Sequence, residues 1–531
     1  MSQLLSASLS LQPSSPTTVV LLTLAGALVV RSALLVLREL RVLGSLPKRV
    51  ILLYPNGLTN FLLPRVPGVT AGYNFLFVEK RKRYEQCGSD VFSITSILPS
   101  IQTTLLLSDA ETIKEVTSSR ARFPKPIELY DSLVFFGENI VVSEAEEWKK
   151  YRKVSAPGFS DRNNKLVWQE THRVVEGLFE VWDGKGDRTV TIDNISDIAL
   201  TISLFVIGAA GFGKRMAWTD TEKCPPGRRM TFQDSLYTLS KGVFLKLAVP
   251  NWAMNLAETT RKIQTAFEEL EVYMREMINR SGEREDLGDL FTSLLEANTH
   301  DTSIDALSDR ELMGNIFIFL IAGHESTGHT IALMFGLLAL YPDEQDRLLD
   351  QIKEVCGDGN ISFSKLPKLT RFSAVYNETL RLYPAVTHIP KKSAEDTTLT
   401  TTNSRGEKTV IPVPKGTMIA IDTPGLHYNP RYWENPYEFN PDRFLKEYNK
   451  DAFVPFSSGV RSCLGRKFFE TEAVITTLLF IRRYKISVKE EPQFAHETFE
   501  QRKERVMRCK PGLTLTPARI PLVFTRRDHI P

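Results

Sequence analysis

The chain has 531 residues, 42% hydrophobic and 24% charged, with a net charge of +3. That composition is ordinary for globular protein, and so small an excess of positive charge argues against a nucleic-acid partner. Its five cysteines (Cys87, Cys224, Cys356, Cys463 and Cys509) are an odd number without metal-site spacing, which favours a reducing compartment.

The first element predicted is a membrane anchor. Residues 1–30 carry no Asp, Glu, Lys or Arg, and an apolar stretch from Thr18 to Val30 continues through Arg31 to Leu37. About twenty such residues suffice to span a bilayer, and Arg31 can snorkel. Positive charge lies only on the C-terminal side, at Arg31, Arg38, Arg41, Lys48 and Arg49. The positive-inside rule then places everything after the span in the cytosol. No basic n-region precedes the apolar core, so a retained signal-anchor is expected rather than a cleaved signal peptide. The expected layout is an anchor over 1–40, a loose hinge over 41–70 (Pro47, Pro55, Pro64, Pro67-Gly68) and one large domain over 71–531. The sequons at Asn194, Asn279, Asn360 and Asn377 would be chance matches on cytosolic polypeptide.

Beyond the hinge, periodicity predicts a mainly α fold with a smaller β region. Helices are expected over 144–154, 164–182, 192–206, 259–279, 308–340, 343–355, 369–382 and 466–481. Short strands are expected over 91–94, 102–108 and 417–422, and over 513–524 with proline interruptions. The connector Val249 to Leu256 breaks two helical stretches with apolar and aromatic residues.

Five groups of residues carry possible chemistry, in this order along the chain. Trp148 and Arg152 lie four apart, one helical turn, on one face. Ala322-Gly323-His324-Glu325-Ser326-Thr327 sits inside an apolar run from Leu312 to Tyr341. A charged notch is costly in a bilayer, so the run reads as a core helix, locally opened by hydroxyls bonding to the preceding turn. Glu378 and Arg381, three apart, can pair on one helical face, and Asn440-Pro441-Asp442-Arg443-Phe444 supplies a second guanidinium. Last comes Phe456-Ser457-Ser458-Gly459-Val460-Arg461-Ser462-Cys463-Leu464-Gly465. A cysteine at a helix start sits where backbone N–H groups favour the thiolate. Gly459 and Gly465 let the backbone approach a flat ligand. Arg461 is placed to meet an anion. Those parts suit a cysteinate on haem iron with an arginine on a haem propionate.

The run from Phe456 to Gly465 matches every fixed position of F-x-x-G-x-R-x-C-x-G, the haem signature of the cytochrome P450 monooxygenases, and the chain resembles that family from Trp148 to Gly465. The resemblance implies haem b with Cys463 as axial ligand, and Trp148, Arg152, Phe456, Gly459, Arg461 and Gly465 around the cofactor. Glu378, Arg381 and Arg443 would form a structural triad. Glu325, Ser326 and Thr327 would form the oxygen groove, with Ser326 where the family most often has threonine. Which hydroxyl serves is left open, as are the roles of His388 and of Lys391, where the family often has arginine. No nucleotide, flavin or iron–sulfur motif is visible, so an NADPH–haemoprotein reductase (or a cytochrome b-type donor) is the implied partner. Lys149, Lys150, Lys153, Arg466, Lys467, Arg482 and Arg483 are candidates for its docking face. Anchored members usually sit on endoplasmic reticulum. Pocket candidates lie in 129–140, 316–324, 385–388 and 511–514, with Phe135, Phe136, Ile316, Phe317, Phe319 and Val386 making a lipophilic substrate the expectation. The chain's general character resembles fungal microsomal members, many of which decorate terpenoids or other secondary metabolites. A reductase-independent haem-thiolate isomerase or dehydratase, and a membrane haem sensor, are the rival classes.

Overall fold

A computed structural model describes residues 16–528 apart from 45, 56, 58–62, 185, 220–223, 280–288, 301–305, 358–361, 404 and 511. The sequon at Asn360 and the pocket candidate Pro511 lie outside the described residues.

The helices are α1 (Pro16–Val42), α2 (Phe75–Glu79), α3 (Lys82–Cys87), α4 (Ala110–Ser118), α5 (Ala145–Ser155), α6 (Asp161–Asp183), α7 (Ile195–Phe212) and α8 (Phe232–Ala248). They continue as α9 (Glu258–Asn279), α10 (Leu290–His300), α11 (Asp309–Leu340), α12 (Pro342–Cys356), α13 (Thr370–Leu382), α14 (Thr423–His427), α15 (Arg466–Arg483) and α16 (Phe499–Val506). The strands are β1 (Lys48–Leu53), β2 (Val91–Leu98), β3 (Gln102–Leu107), β4 (Thr189–Ile192), β5 (His388–Lys392) and β6 (Thr397–Thr402). After them come β7 (Lys408–Val413), β8 (Met418–Asp422), β9 (Tyr484–Val488), β10 (Cys509–Lys510), β11 (Thr516–Pro517) and β12 (Leu522–Arg526).

All eight helices expected from periodicity form, with ends shifted by a few residues. Side-chain caps start α6 at Ser160, α7 at Asn194 and α11 at Ser308. At the start of α11, Ser308 and Glu311 exchange side-chain and backbone hydrogen bonds in a capping box. The helix then runs unbroken to Leu340, so the hydroxyls of the notch do not open it. Helix α7 begins three residues later than expected because Asn194 caps it. The residues just before the cap are strand β4, paired with β12. Among helices the periodicity did not single out, α8 carries Gly242 at mid-helix. A Cβ there would fall 2.5 Å from Ile263 Cγ1 on α9, so the glycine that weakens the local signal permits the packing.

Helix α1 is the membrane candidate: its 25-residue apolar stretch, Thr18–Val42, has no buried part in its most apolar window. Helices α7 and α11 are also long and apolar enough to span, but 78% of each window is buried within the fold. They are core helices, as the polar notch in α11 predicted. They cross backbone-close: a Cβ on Gly328 would lie 2.9 Å from Leu200 Cα. The main core gathers around them with α6, α9 and α15.

A five-stranded sheet of order β1-β2-β3-β8-β5 flanks this helical body. Its edge strand β1 lies in the stretch read as a hinge and pairs parallel with β2. Leu43, just after α1, is buried in the sheet's core, and Glu39 of α1 accepts a hydrogen bond from Thr103 of β3. Two of the sequons are occupied structurally. Asn194 is a helix cap that also takes the Ile520 N–H, and the Asn377 amide oxygen is buried.

Candidate functional site

The loop that carries Cys463 is pinned before it reaches the thiol. The Cys463 N–H donates to Phe456 O at 2.9 Å, closing a tight excursion. At its outer bend Gly459 has φ +67°, and a Cβ there would sit 2.8 Å from Thr117 O at the end of α4. Only glycine meets both demands. Helix α15 starts at Arg466, and the N–H groups of Gly465 and Arg466 hydrogen-bond to the thiol. Burial pushes the Cys463 thiol up, while those N–H groups and the Arg152 and Arg466 charges pull it the other way. Yet the Cys463 side chain is itself exposed. The two observations agree if the sulfur, ringed by protein, faces an open recess. A cation at the sulfur would overcome the burial effect and hold the thiolate.

Around Trp148 the structure gathers more positive charge than it balances. The Arg461, Arg120 and Arg152 guanidinium groups lie 4.2, 4.8 and 5.7 Å from the indole centroid. Arg461 donates to Ile140 O and Ser143 O and pairs with Glu144 at 2.6 Å. Its Nε is buried without a partner. Arg152 donates to Ser462 O beside the thiol. Lys125 belongs to the same cluster: burial and the nearby Arg461 and Lys391 charges bring its ammonium down to about 7. Burial, Arg461 and Arg120 likewise lower Lys391. Five cations thus converge, with Glu144 as the carboxylate in ion-pair contact among the described residues. Such a cluster calls for an anion carrying more than one charge. A planar cofactor with two carboxylates and a thiolate-seeking metal fits both features, and haem has that chemistry. Lys125 and Arg120 were not legible in the sequence, because only the fold brings them to Trp148.

Opposite lies the notch of α11. In the middle of a mostly buried helix, Ala322 is exposed and Gly323, Glu325 and Ser326 are half-buried, while Thr327 is buried. Ser326 Oγ donates to Ala322 O at 2.7 Å. Burial pushes Glu325 up to about 7, against hydrogen bonds from the Thr514 backbone and hydroxyl. Phe159 links this helix to the thiol loop. Its ring lies 5.3 Å from that of Phe319, one turn before Gly323, and 3.8 Å from a Cβ placed on Gly465.

Glu378, Arg381 and Arg443 meet. Glu378 binds Arg381 through both oxygens, at 2.7 and 2.8 Å, and takes Arg443 Nε at 3.1 Å and Asn440 N at 2.9 Å. The other three donors of Arg381 go to the carbonyls of His427, Pro436 and Glu438. The wholly buried charges are therefore fully hydrogen-bonded. His427 was not singled out by sequence reasoning. It sits beneath the thiol loop, where Nε2 accepts the Val454 N–H and Nδ1 approaches Arg381 O.

Several pocket expectations look different in three dimensions. Phe135, Phe136 and Phe317 pack with Phe267 of α9 into one aromatic cluster. Phe319 turns instead toward Phe159. Val386 is open, and burial brings His388 down to about 4. Of the cations expected to form a docking face, Lys150 is tied to Glu311, Arg466 to Glu470, and Arg483 to Asp183 and Glu176.

The sequence model of the Cytochrome P450 family matches residues 64–514. Cytochrome P450 monooxygenase 124 of Postia placenta is 50% identical over 480 residues, covering 89% of this chain and 92% of the relative. Cytochrome P450 monooxygenase prx9 of Penicillium rubens is 30% identical, covering 78% of each. The crystal structure of the haem domain of cytochrome P450DA superposes with a TM-score of 0.71 at 22% identity, over 92% of this chain and 98% of that one. At that identity the likeness is one of fold.

Proposed function

The chain belongs to the cytochrome P450 family and is a monooxygenase, and from that premise we propose that it inserts one oxygen atom of O2 into a lipophilic small molecule, with electrons from NADPH through a separate reductase. The observation that carries this reading is the exposed thiol of Cys463 beside five basic side chains whose ion-pair partner among the described residues is the single carboxylate Glu144. Cys463 would hold the iron of haem b. Trp148, Arg152 and Arg461, joined by Arg120, Lys125 and Lys391, would hold its carboxylates. When bound, a haem with a thiolate ligand supplies the activation of dioxygen.

This chain's own residues do the remaining work. Glu325 holds a proton near neutral pH, and Ser326 presents a hydroxyl on the same open face of α11. Together they would deliver protons to the reacting oxygen. The aromatic cluster around Phe317 gives that side an apolar wall, which would orient an apolar compound and exclude water. The hydrophobic character of the wall and the fungal relatives support a secondary metabolite, for example a terpenoid, as substrate. Helix α1 and the exposed Trp252 and Leu256 support attachment to the endoplasmic reticulum by a single span, with the enzyme body in the cytosol. Lys149, which is paired with Glu146, and Lys150, Lys153, Arg466, Lys467, Arg482 and Arg483 would together form a reductase-docking face.

Two measurements on the membrane-reconstituted protein test the proposal. The reduced protein under carbon monoxide should give the red-shifted Soret band of thiolate-ligated haem, abolished by Cys463→Ala. Oxygenated product should require NADPH and reductase. Turnover without them would favour an isomerase or dehydratase, and haem binding without turnover of any kind would favour a sensor.

A further inference from the structure

Glu325 is reached by Thr514, near the C-terminal end of the chain. Thr514, in the loop between β10 and β11, lies within hydrogen-bonding reach of two side chains of α11. Its Oγ1 stands 3.4 Å from Glu325 Oε1 and 2.8 Å from Nδ1 of His329. His329 is one helical turn beyond Glu325, with Nδ1 3.7 Å from Oε1. All three are shielded: His329 is 4% exposed, Thr514 9%, and the Glu325 side chain 13%.

The hydroxyl is the informative member, because it donates one hydrogen bond and accepts others. When Glu325 is ionised, Thr514 donates to Oε1 and accepts from His329 Nδ1–H. When Glu325 carries a proton, Glu325 donates to Thr514, and Thr514 donates to an unprotonated Nδ1. Both arrangements use the same heavy-atom positions and differ only in hydroxyl rotation and imidazole tautomer. A buried carboxyl that loses its partner in one of its two states is held in the other by the desolvation penalty. Here neither state loses its partner.

We propose that His329 and Thr514 are positioning residues that let Glu325 pass between acid and carboxylate in place, and so keep it able to give up and regain a proton in every cycle. The proposal rests on the reading of Glu325 as the proton donor. One complete passage is balanced: a proton is taken up at His329 Nε2, the Nδ1 proton passes to Thr514 Oγ1, and the Thr514 hydroxyl proton passes to Glu325 Oε1. The histidine is left neutral and the carboxyl protonated.

The surrounding charges fit a neutral imidazole. Burial and the Lys510 charge hold His329 down at about 4, so it carries a proton in transit without keeping it. His324, on the preceding turn, is brought down to about 3 by burial and by His329. Tyr73, whose hydroxyl is fixed between Gly512 N and O at 2.6 Å each, is pushed up to about 12 and stays neutral. Glu325 is therefore the group in this set that titrates near neutral pH.

Infrared titration of the ferric, haem-loaded protein tests this without substrate or turnover. The protonated-carboxyl band absent from Glu325→Gln identifies the group. In the wild-type protein that band should titrate near pH 7. Thr514→Val removes the hydroxyl that donates to the carboxylate, and His329→Phe removes the donor that orients that hydroxyl, so the midpoint should rise in both, by about one pH unit or more in Thr514→Val. Thr514→Ser and His329→Asn, which keep a hydroxyl and a donor near Nδ1, should stay close to wild type. In turnover, the pH at which product gives way to hydrogen peroxide should move with the infrared midpoint for Thr514→Val but not for Thr514→Ser. An unmoved midpoint in both Thr514→Val and His329→Phe, or a wild-type band that does not titrate between pH 5 and 9, overturns the proposal. A normal titration in a protein that forms no oxygenated product would instead sink the monooxygenase reading and leave this one standing.

Discussion

His427 Nε2 accepts the backbone N–H of Val454 at 3.1 Å. One ring thereby joins the helix that carries Glu378 and Arg381 to the segment entering the thiol loop. Because Nε2 accepts, the proton resides on Nδ1, 3.1 Å from Arg381 O. The histidine is fully buried and brought down to about 3, chiefly by burial and then by the Arg381 charge. The neutral ring is thus part of the folded structure.

A pH dependence follows from that tautomer. An unfolded histidine titrates near 6.5, above the folded value. The His427 contribution is therefore complete above about pH 6.5 and is lost as pH falls from there toward the folded value. His427→Phe leaves the Val454 N–H buried without an acceptor, at a cost of roughly 1–3 kcal/mol at pH 8. The gap between wild type and variant in urea midpoint should narrow at pH 5. An equal gap at both pH values would refute the assignment of the neutral ring.

The triad should respond asymmetrically. Glu378→Ala strands Arg381, whose side chain is wholly buried, and should cost roughly 3–5 kcal/mol with loss of haem retention. Arg443 is 11% exposed, and Arg443→Ala leaves Glu378 still bound bidentately to Arg381 and to Asn440 N. Its cost should be clearly smaller. Chemical denaturation with haem quantitation measures the order, and a reversed order would contradict the geometry.

In the α11 notch proposed as the oxygen groove, exposure separates two adjacent hydroxyls. Ser326 lies on the open face and Thr327 is buried. Ser326→Ala should leave haem content intact while product falls and hydrogen peroxide rises per NADPH consumed. Ser326→Thr should preserve coupling, because branching at Cβ fixes the hydroxyl. Thr327→Ala should lower thermal stability more than coupling. Uncoupling by Thr327→Ala alone would transfer the role to Thr327.

Glu472 of α15 is a second buried acid, 2.7 Å from Ser203 Oγ on α7. Burial pushes it up to about 8, whereas the unfolded carboxyl titrates near 4.3. The unfolded state therefore releases this proton first, and stability falls as pH rises between those values. Glu472→Gln should flatten that decline, so that the variant gains on wild type at pH 8 relative to pH 5. A parallel pH profile in melting temperature would show that Glu472 is not protonated in the folded protein.

Removing residues 1–38 deletes most of α1 but spares Glu39 and Leu43, which dock on the sheet. The truncated protein should fold, bind haem and lose most of its sedimentation with lipid vesicles. Residual binding should disappear when Trp252 and Leu256, 77% and 74% exposed, are both changed to Ser. Undiminished sedimentation after truncation would remove α1 as the anchor.

The local signals in this sequence are those whose physics is local. An apolar stretch specifies α1, capping residues specify the starts of α6 and α11, apolar runs specify the bodies of α11 and α15, and a glycine-punctuated run specifies the thiol loop. Glu378 and Arg381 pair because three residues bring side chains to one helical face. The run from Phe456 to Gly465 disclosed the family, since its cysteine, arginine and glycines all lie within ten residues. Only the tertiary structure could assemble Arg120, Lys125 and Lys391 about Trp148, close His427 onto Val454, or bring Thr514 to Glu325 and His329. Those contacts include hydrogen bonds across 27 and 189 positions, in networks whose geometry is set by packing, and no periodicity encodes them. Burial decided the rest. The sequence made Ser326 and Thr327 equivalent hydroxyls, and the crossing of α7 over α11 at Gly328 leaves one on the open face and packs the other into the core.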